Sequence, residues 1–215
     1  MARIKICGMT SLEDAELAAG HGAWAVGVIH HRESPRYCPP AVAAEIGAAL
    51  KRRCEVAGVF VNAPLAEIER AAVDEALTLI QLHGEEGPVF CREVARRTGL
   101  PVMKAFRVRS GADIRSAEAY RVEYHLMDAY RPGARGGTGE SFDWELLAGR
   151  RSQIPFLLAG GLTPENVGEA IAAVAPWGVD VVSGVEAEPG RKDPQLLADF
   201  FERARAATRT GTGVA

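Results

Sequence analysis

The chain of 215 residues is 47% hydrophobic and 25% charged, the balance of an ordinary soluble globular protein, which excludes a fibrous or largely disordered chain. Its formal net charge of −3 comes from interspersed signs, which leaves no electrostatic footprint for nucleic acid and points to a small molecule as partner. No apolar run reaches the length of a membrane span, the opening MARIKICG lacks the apolar core of a signal peptide, and Cys7, Cys38, Cys54 and Cys91 form no C-x-x-C pair; a cytoplasmic chain with reduced thiols, without membrane, disulfide framework or zinc site, is expected.

Residues 3–7 (RIKIC) read as a short buried strand that Gly8 ends, and Thr10-x-x-Glu13 has the spacing of a capping box opening a helix over 11–20. Apolar runs follow at 24–29, 55–61, 77–82, 101–106, 124–128, 155–159 and 179–182, and read as strands. Helix patterns lie between and after them, at 39–52, 64–74, 87–98, 111–119, 143–148, 164–174 and 193–207. Asn62 before Pro64, Thr163 before Pro164 and Asp193 before Pro194 each place a capping side chain ahead of a proline in the first turn.

Strands that are nearly all apolar are buried on both faces, as in a parallel sheet covered by helices. Eight strand-helix units without a composition shift or linker point to one (β/α)8 barrel over residues 1–207. An open doubly wound sheet has the same alternation and is the competing fold. The tail 208–215 (TRTGTGVA) has too little apolar content to pack and is expected to fray, and the glycine-dense loop Arg135–Gly139 is expected to be mobile.

In a barrel, the polar groups just after each strand converge at the carboxyl-end mouth. Cys7 ends the first strand and Asp128 the sixth. A lone cysteine on a strand is more often a small buried hydrophobe, and Asp128 could merely cap the next loop. A carboxyl facing a thiol across a barrel mouth nevertheless supplies an acid and a base for proton transfer without a metal. Gly160-Gly161 after the seventh strand and Ser183-Gly184 after the eighth fall at the two loops where barrels hold phosphate, though glycines also serve simply as turns. Arg36, beside Ser34-Pro35, is a planar fork suited to a carboxylate, its bland alternative being a solvated arginine. His83 after the fourth strand is a further titrating group, with a structural imidazole as its alternative.

With these residues in view the sequence resembles the phosphoribosylanthranilate isomerases of tryptophan biosynthesis, from Lys5 to about Phe200. The resemblance is carried by KICGMT at 5–10, SPRY at 34–37, GVFVN at 58–62, QLHGEE at 81–86, KAFRV at 104–108, DAYRPGARGGTGESFDW at 128–144, LAGGLTPENV at 158–167 and GVDVVSGVEAEPGRKDP at 178–194. It implies a (β/α)8 barrel that converts N-(5-phosphoribosyl)anthranilate to 1-(2-carboxyphenylamino)-1-deoxyribulose 5-phosphate by an Amadori rearrangement without a cofactor. Asp128 then resembles the general acid and Cys7 the general base; Arg36 matches the position that binds the anthranilate carboxylate, and Gly160, Gly161, Ser183 and Gly184 match the phosphate cradle. His83 is kept as a further substrate-binding candidate.

The chain departs from the family at Val28–Glu33, where an aromatic-rich run and Pro-Lys are usual and VIHHRE stands instead. That alters the wall next to the substrate's aromatic ring. Cys38 replaces an aliphatic residue and is expected to pack. Two other readings stay open: a related histidine-pathway or dual-substrate isomerase, whose members carry Asp where Cys7 stands, and a non-catalytic phosphosugar-binding barrel. Both a monomer and a homodimer fit the sequence.

Overall fold

The computed structural model describes residues 2–128, 147 and 150–210. Strands and helices alternate as β1 (Arg3–Cys7), α1 (Leu12–Gly20), β2 (Ala25–Ile29), α2 (Pro40–Leu50), β3 (Glu55–Phe60), α3 (Leu65–Asp74), β4 (Leu79–Leu82), α4 (Pro88–Thr98), β5 (Val102–Arg107), α5 (Gly111–Ala117) and β6 (Tyr124–Asp128). They continue as β7 (Phe156–Ala159), α6 (Val167–Val174), β8 (Gly178–Val181), a 3-10 turn (Ser183–Val185), β9 (Glu186–Glu188), β10 (Arg191–Lys192) and α7 (Pro194–Thr210). Of the expected helix at 143–148 only Leu147, helical and buried, is among the described residues, and the loop Arg135–Gly139 lies outside them.

Strands β1 to β8 are hydrogen-bonded in sequence order and close into a barrel, β8 pairing back to β1 in parallel, which excludes the open sheet. Side chains alternate across each strand, so the apolar strands feed two cores. Ile4, Ile6, Val26, Val28, Phe60 and Leu158 pack outward with the helices in one cluster, whereas Ala57, Leu79, Met103, Ala105, Leu126, Leu157 and Ala159 form a second. That second set is the filling of the barrel itself.

Helix ends follow local chemistry, with corrections to the expected caps. The first helix is capped by Ser11, whose side chain accepts from the Asp14 N–H, while the Thr10 hydroxyl donates to the Gly190 carbonyl. Asn62 does not cap α3, whose N-cap is Pro64 with no side-chain bond; its own backbone is left-handed (φ 52°). Thr163 accepts from Glu165 in a local turn, and α6 starts only at Val167. Asp193 does cap α7, accepting from Gln195 and Leu196 at 2.8 and 2.9 Å. That helix runs to Thr210, so residues 208–210 of the expected frayed tail are helical and the remainder lies outside the described residues. The hairpin of β9 and β10 was not foreseen; its strands are too short to leave a periodic signal. Among the described residues no helix is long and apolar enough to cross a membrane.

One buried group makes the fold sensitive to acid. His125 is fully buried on β6, edge-on to Phe106, and burial, with the charge of Arg150, pushes its imidazole down to about 4. An unfolded imidazole titrates near ~6.5, so the unfolded chain binds the proton more readily. Stability is therefore full above about pH 6.5 and falls as the pH drops toward 4, by up to about 3 kcal/mol. Thermal unfolding at pH 7.5 and pH 5 should show a smaller loss of Tm in His125→Leu than in wild type; an equal loss would place the acid sensitivity elsewhere.

Candidate active site

Cys7 is the last residue of β1, turned inward because its neighbours Ile4 and Ile6 pack outward, and only 3% exposed. Its register partner on β2 is Gly27, and a β-carbon there would lie 2.6 Å from the Cys7 sulfur and 3.1 Å from Lys5 Nζ. The missing side chain is what makes room for both. Burial pushes the Cys7 thiol up, and Lys5 is the strongest influence pulling it back. Lys5 itself is fully buried, its Nζ 2.8 Å from Oδ1 of Asp180 on β8.

Asp128 ends β6, about one-fifth exposed, with His83 Nε2 3.7 Å from its Oδ2. Gln81 fixes that histidine: its amide Nε2 donates to Nδ1 at 2.9 Å. The neutral ring then carries its proton on Nε2, the nitrogen facing Asp128. The sequence thus placed His83 at the mouth, but not as a neighbour of the acid. Between β6 and β1 around the barrel lie only β7 and β8, so the two strand ends stand three steps apart of eight, one short of diametrically opposed.

Those two intervening strands deliver the glycine turns. Gly160 and Gly161 follow β7 at φ 99° and 65°, a conformation L side chains rarely adopt. Ser183 and Gly184 form the 3-10 turn after β8, and a β-carbon at Gly184 would sit 1.9 Å from the Leu162 carbonyl oxygen. Glycine at 184 is what lets the two loops touch. In barrel order the mouth reads acid, glycine turn, glycine turn, thiol.

Arg36 lies in the loop between β2 and α2, its Cδ 2.9 Å from where a side chain on Gly8 would begin. Its Nε and Nη2 edge grips Glu186 at 2.7–3.0 Å. Glu186 also accepts from Lys192 Nζ at 2.9 Å, and that ammonium donates to the carbonyls of Cys7 (2.7 Å) and Val182 (3.2 Å). Burial alone would raise the Glu186 carboxyl, but Arg36 and Lys192 hold it below the usual range. The guanidinium is thereby locked by its Nε and Nη2 edge.

Across the mouth, the ends of β3 and β4 form a nest of N–H groups that the chain fills itself. Glu86 accepts from Asn62 N and Gly84 N at 2.8 Å each, and Lys104 Nζ stands 3.1 Å away. An internal carboxylate thus occupies the place of an anion.

Sequence reasoning missed Lys5, Gly27, Asp180, Glu186 and Lys192. A signal existed for two of them: Lys5 stands between Ile4 and Ile6 in β1 and Asp180 is the lone charge of β8, and a charge among apolar strand residues is costly without a partner. In the departing segment, His30 turns to α3, stacks on Phe60 and meets Glu75 at 2.6 Å. Cys38 is wholly buried, and burial pushes its thiol up to about 12, as a packing thiol requires.

A family model described as N-(5'-phosphoribosyl)anthranilate (PRA) isomerase matches residues 4–203. A relative from Geobacter metallireducens, N-(5'-phosphoribosyl)anthranilate isomerase, is 48% identical over 206 residues, covering 96% of this chain and 100% of that one. Crystallised monomers of the dimeric phosphoribosylanthranilate isomerase of Thermotoga maritima superpose with a TM-score of 0.83 at 39% identity, covering 96% and 100% of the two chains. A structure of the isomerase in complex with reduced 1-(o-carboxyphenylamino)-1-deoxyribulose 5-phosphate gives 0.82 at 38% identity, with the same coverage.

Proposed function

The chain belongs to the N-(5'-phosphoribosyl)anthranilate isomerase family, and from that premise we propose that Asp128 is its general acid, Cys7 its general base, Arg36 its carboxylate clamp and Gly160, Gly161, Ser183 and Gly184 its phosphate cradle. As a member it is an isomerase of tryptophan biosynthesis that turns the aminoaldose N-(5-phosphoribosyl)anthranilate into the aminoketose 1-(2-carboxyphenylamino)-1-deoxyribulose 5-phosphate. One observation carries the assignment of roles. Four consecutive strands, β6, β7, β8 and β1, end in an acid, two glycine turns and a thiol, so a phosphate in the turns anchors the sugar between the two proton-transfer groups.

In this reading Asp128 protonates the ribose ring oxygen, the C1–O bond breaks, and the nitrogen lone pair forms the Schiff base. Cys7 as thiolate takes the C2 proton, and the C–H electron pair moves into the C1–C2 bond as the C1=N pair returns to nitrogen, giving an enolamine that tautomerises to the ketone. His83 stands close enough to Asp128 for a small side-chain rotation to bring a hydrogen bond to the carboxylate left behind. Every group comes from one chain, so a monomer or a homodimer carries the same site. A cytoplasmic location, with neither nucleic acid nor membrane as partner, accords with this small-molecule chemistry.

The filled nest at Glu86 favours a substrate with one phosphate over the bisphosphorylated compound of the histidine pathway. Crystals soaked in phosphate should show an anion at the Gly161 and Gly184 N–H groups and none at Asn62 to Pro64. A second ordered anion there, or turnover of the bisphosphorylated precursor, contradicts the single-phosphate reading. A chain that binds phosphosugar without turning over phosphoribosylanthranilate would revert to the non-catalytic alternative.

A further inference from the structure

The Lys5–Asp180 pair has no place in the mechanism above, yet it lies directly beneath the thiol. Lys5 is two residues before Cys7 on one strand, hence on the same inward face, and Asp180 is its register partner on β8. Lys5 is fully buried and Asp180 only 5% exposed. A buried ion pair is poor value for stability, since apolar residues of similar volume commonly do as well or better. Its position suggests another use. Gly27 brings Lys5 Nζ and the Cys7 sulfur to within a few ångströms of the same point, and the sulfur is the one atom of the site that must carry a negative charge to act as base.

We propose that Lys5 is the positioning residue of the base: its buried ammonium, held by Asp180 and given room by Gly27, favours the thiolate form of Cys7 that takes the substrate proton, against the burial that keeps the resting thiol protonated. This rests on the reading of Cys7 as the general base. The charged groups around the sulfur are Lys5 on β1, Asp180 on β8, Lys192 on β10, bonded to the Cys7 carbonyl, and Arg36 in the loop after β2. Burial opposes the thiolate, Lys5 is the largest influence in its favour, and Asp180 works against it. In turn, burial pulls the Lys5 ammonium down, but Asp180 and Cys7 outweigh it and keep the group charged.

The two partners therefore act on the thiol with opposite signs, so removing one or the other should move its ionisation in opposite directions. The test follows the pH midpoint of Cys7 alkylation by iodoacetamide, read by peptide mass spectrometry, together with the pH profile of kcat/KM. Lys5→Met should move both midpoints up by about one unit or more, tenfold less thiolate at a given pH, and Asp180→Asn should move them down. Should a single variant leave a buried charge that prevents folding, the double variant Lys5→Met/Asp180→Leu removes both, and its midpoint should also rise because the nearer charge is the ammonium. Unmoved midpoints in a folded Lys5→Met or double variant, or upward shifts in both single variants, overturn the proposal. Failure of the underlying reading is distinguishable, because Cys7→Ala would then keep near-normal turnover whatever Lys5 does.

Discussion

Asp128→Asn and Cys7→Ala are each expected to lower kcat by roughly 10²-fold or more with the fold intact, because positioned proton transfer is typically worth about 10² to 10⁴. Neither change touches the packing that closes the barrel. Asp128 is partly exposed at the mouth, and Cys7→Ala removes a single sulfur from an inward face already bordered by Gly27. Wild-type circular dichroism with lost turnover is thus the anticipated combination. Burial raises the Cys7 thiol, so the resting enzyme carries it mainly protonated, and kcat/KM should climb with pH through the neutral range as the thiolate forms. Turnover within about threefold of wild type in either variant removes the role assigned to it. A profile flat from about pH 6 to 9 speaks against a thiolate base, provided that chemistry limits the rate.

Arg36→Ala is expected to act mainly on KM, raising it by about 10-fold to 100-fold, the loss of a charge-assisted bidentate contact worth roughly 1.5 to 3 kcal/mol. The structure adds a way to separate binding from aim. Glu186 holds the Nε and Nη2 edge of the guanidinium, so Glu186→Gln keeps Arg36 but weakens its anchor. A smaller rise in KM, without the full loss seen for Arg36→Ala, is the expected result. Arg36→Lys should resemble the alanine variant more than wild type, since a point charge cannot reproduce the fork. An unchanged KM in Arg36→Ala would move the carboxylate contact to another part of the mouth.

Most of the architecture was legible because apolar strands and helical periods alternate without interruption, and every strand of the barrel falls within a residue or two of its run. Caps were less legible. Ser11 and Thr10 are adjacent and chemically alike, and only the engagement of Thr10 with Gly190 decides between them. Asn62 was a sound cap candidate by type, but its side chain is used by Glu85 N across the β3 and β4 ends at 2.7 Å. In the site, residues at strand ends could be read from position alone. Their supports could not: Arg36 and Glu186 are 150 residues apart in sequence, and Lys192 reaches Cys7 through a hairpin too short to announce itself. The glycine at 27 looked like any small strand residue until its contact with the sulfur gave it a reason.

The account stands most directly on turnover itself. The purified chain is mixed with N-(5-phosphoribosyl)anthranilate and the loss of substrate fluorescence is followed for wild type and for the double variant Cys7→Ala/Asp128→Asn. The account predicts rapid loss with wild type and none above the uncatalysed rate with the variant. Persistent fluorescence with the wild-type chain, or equal rates for the two, would contradict it.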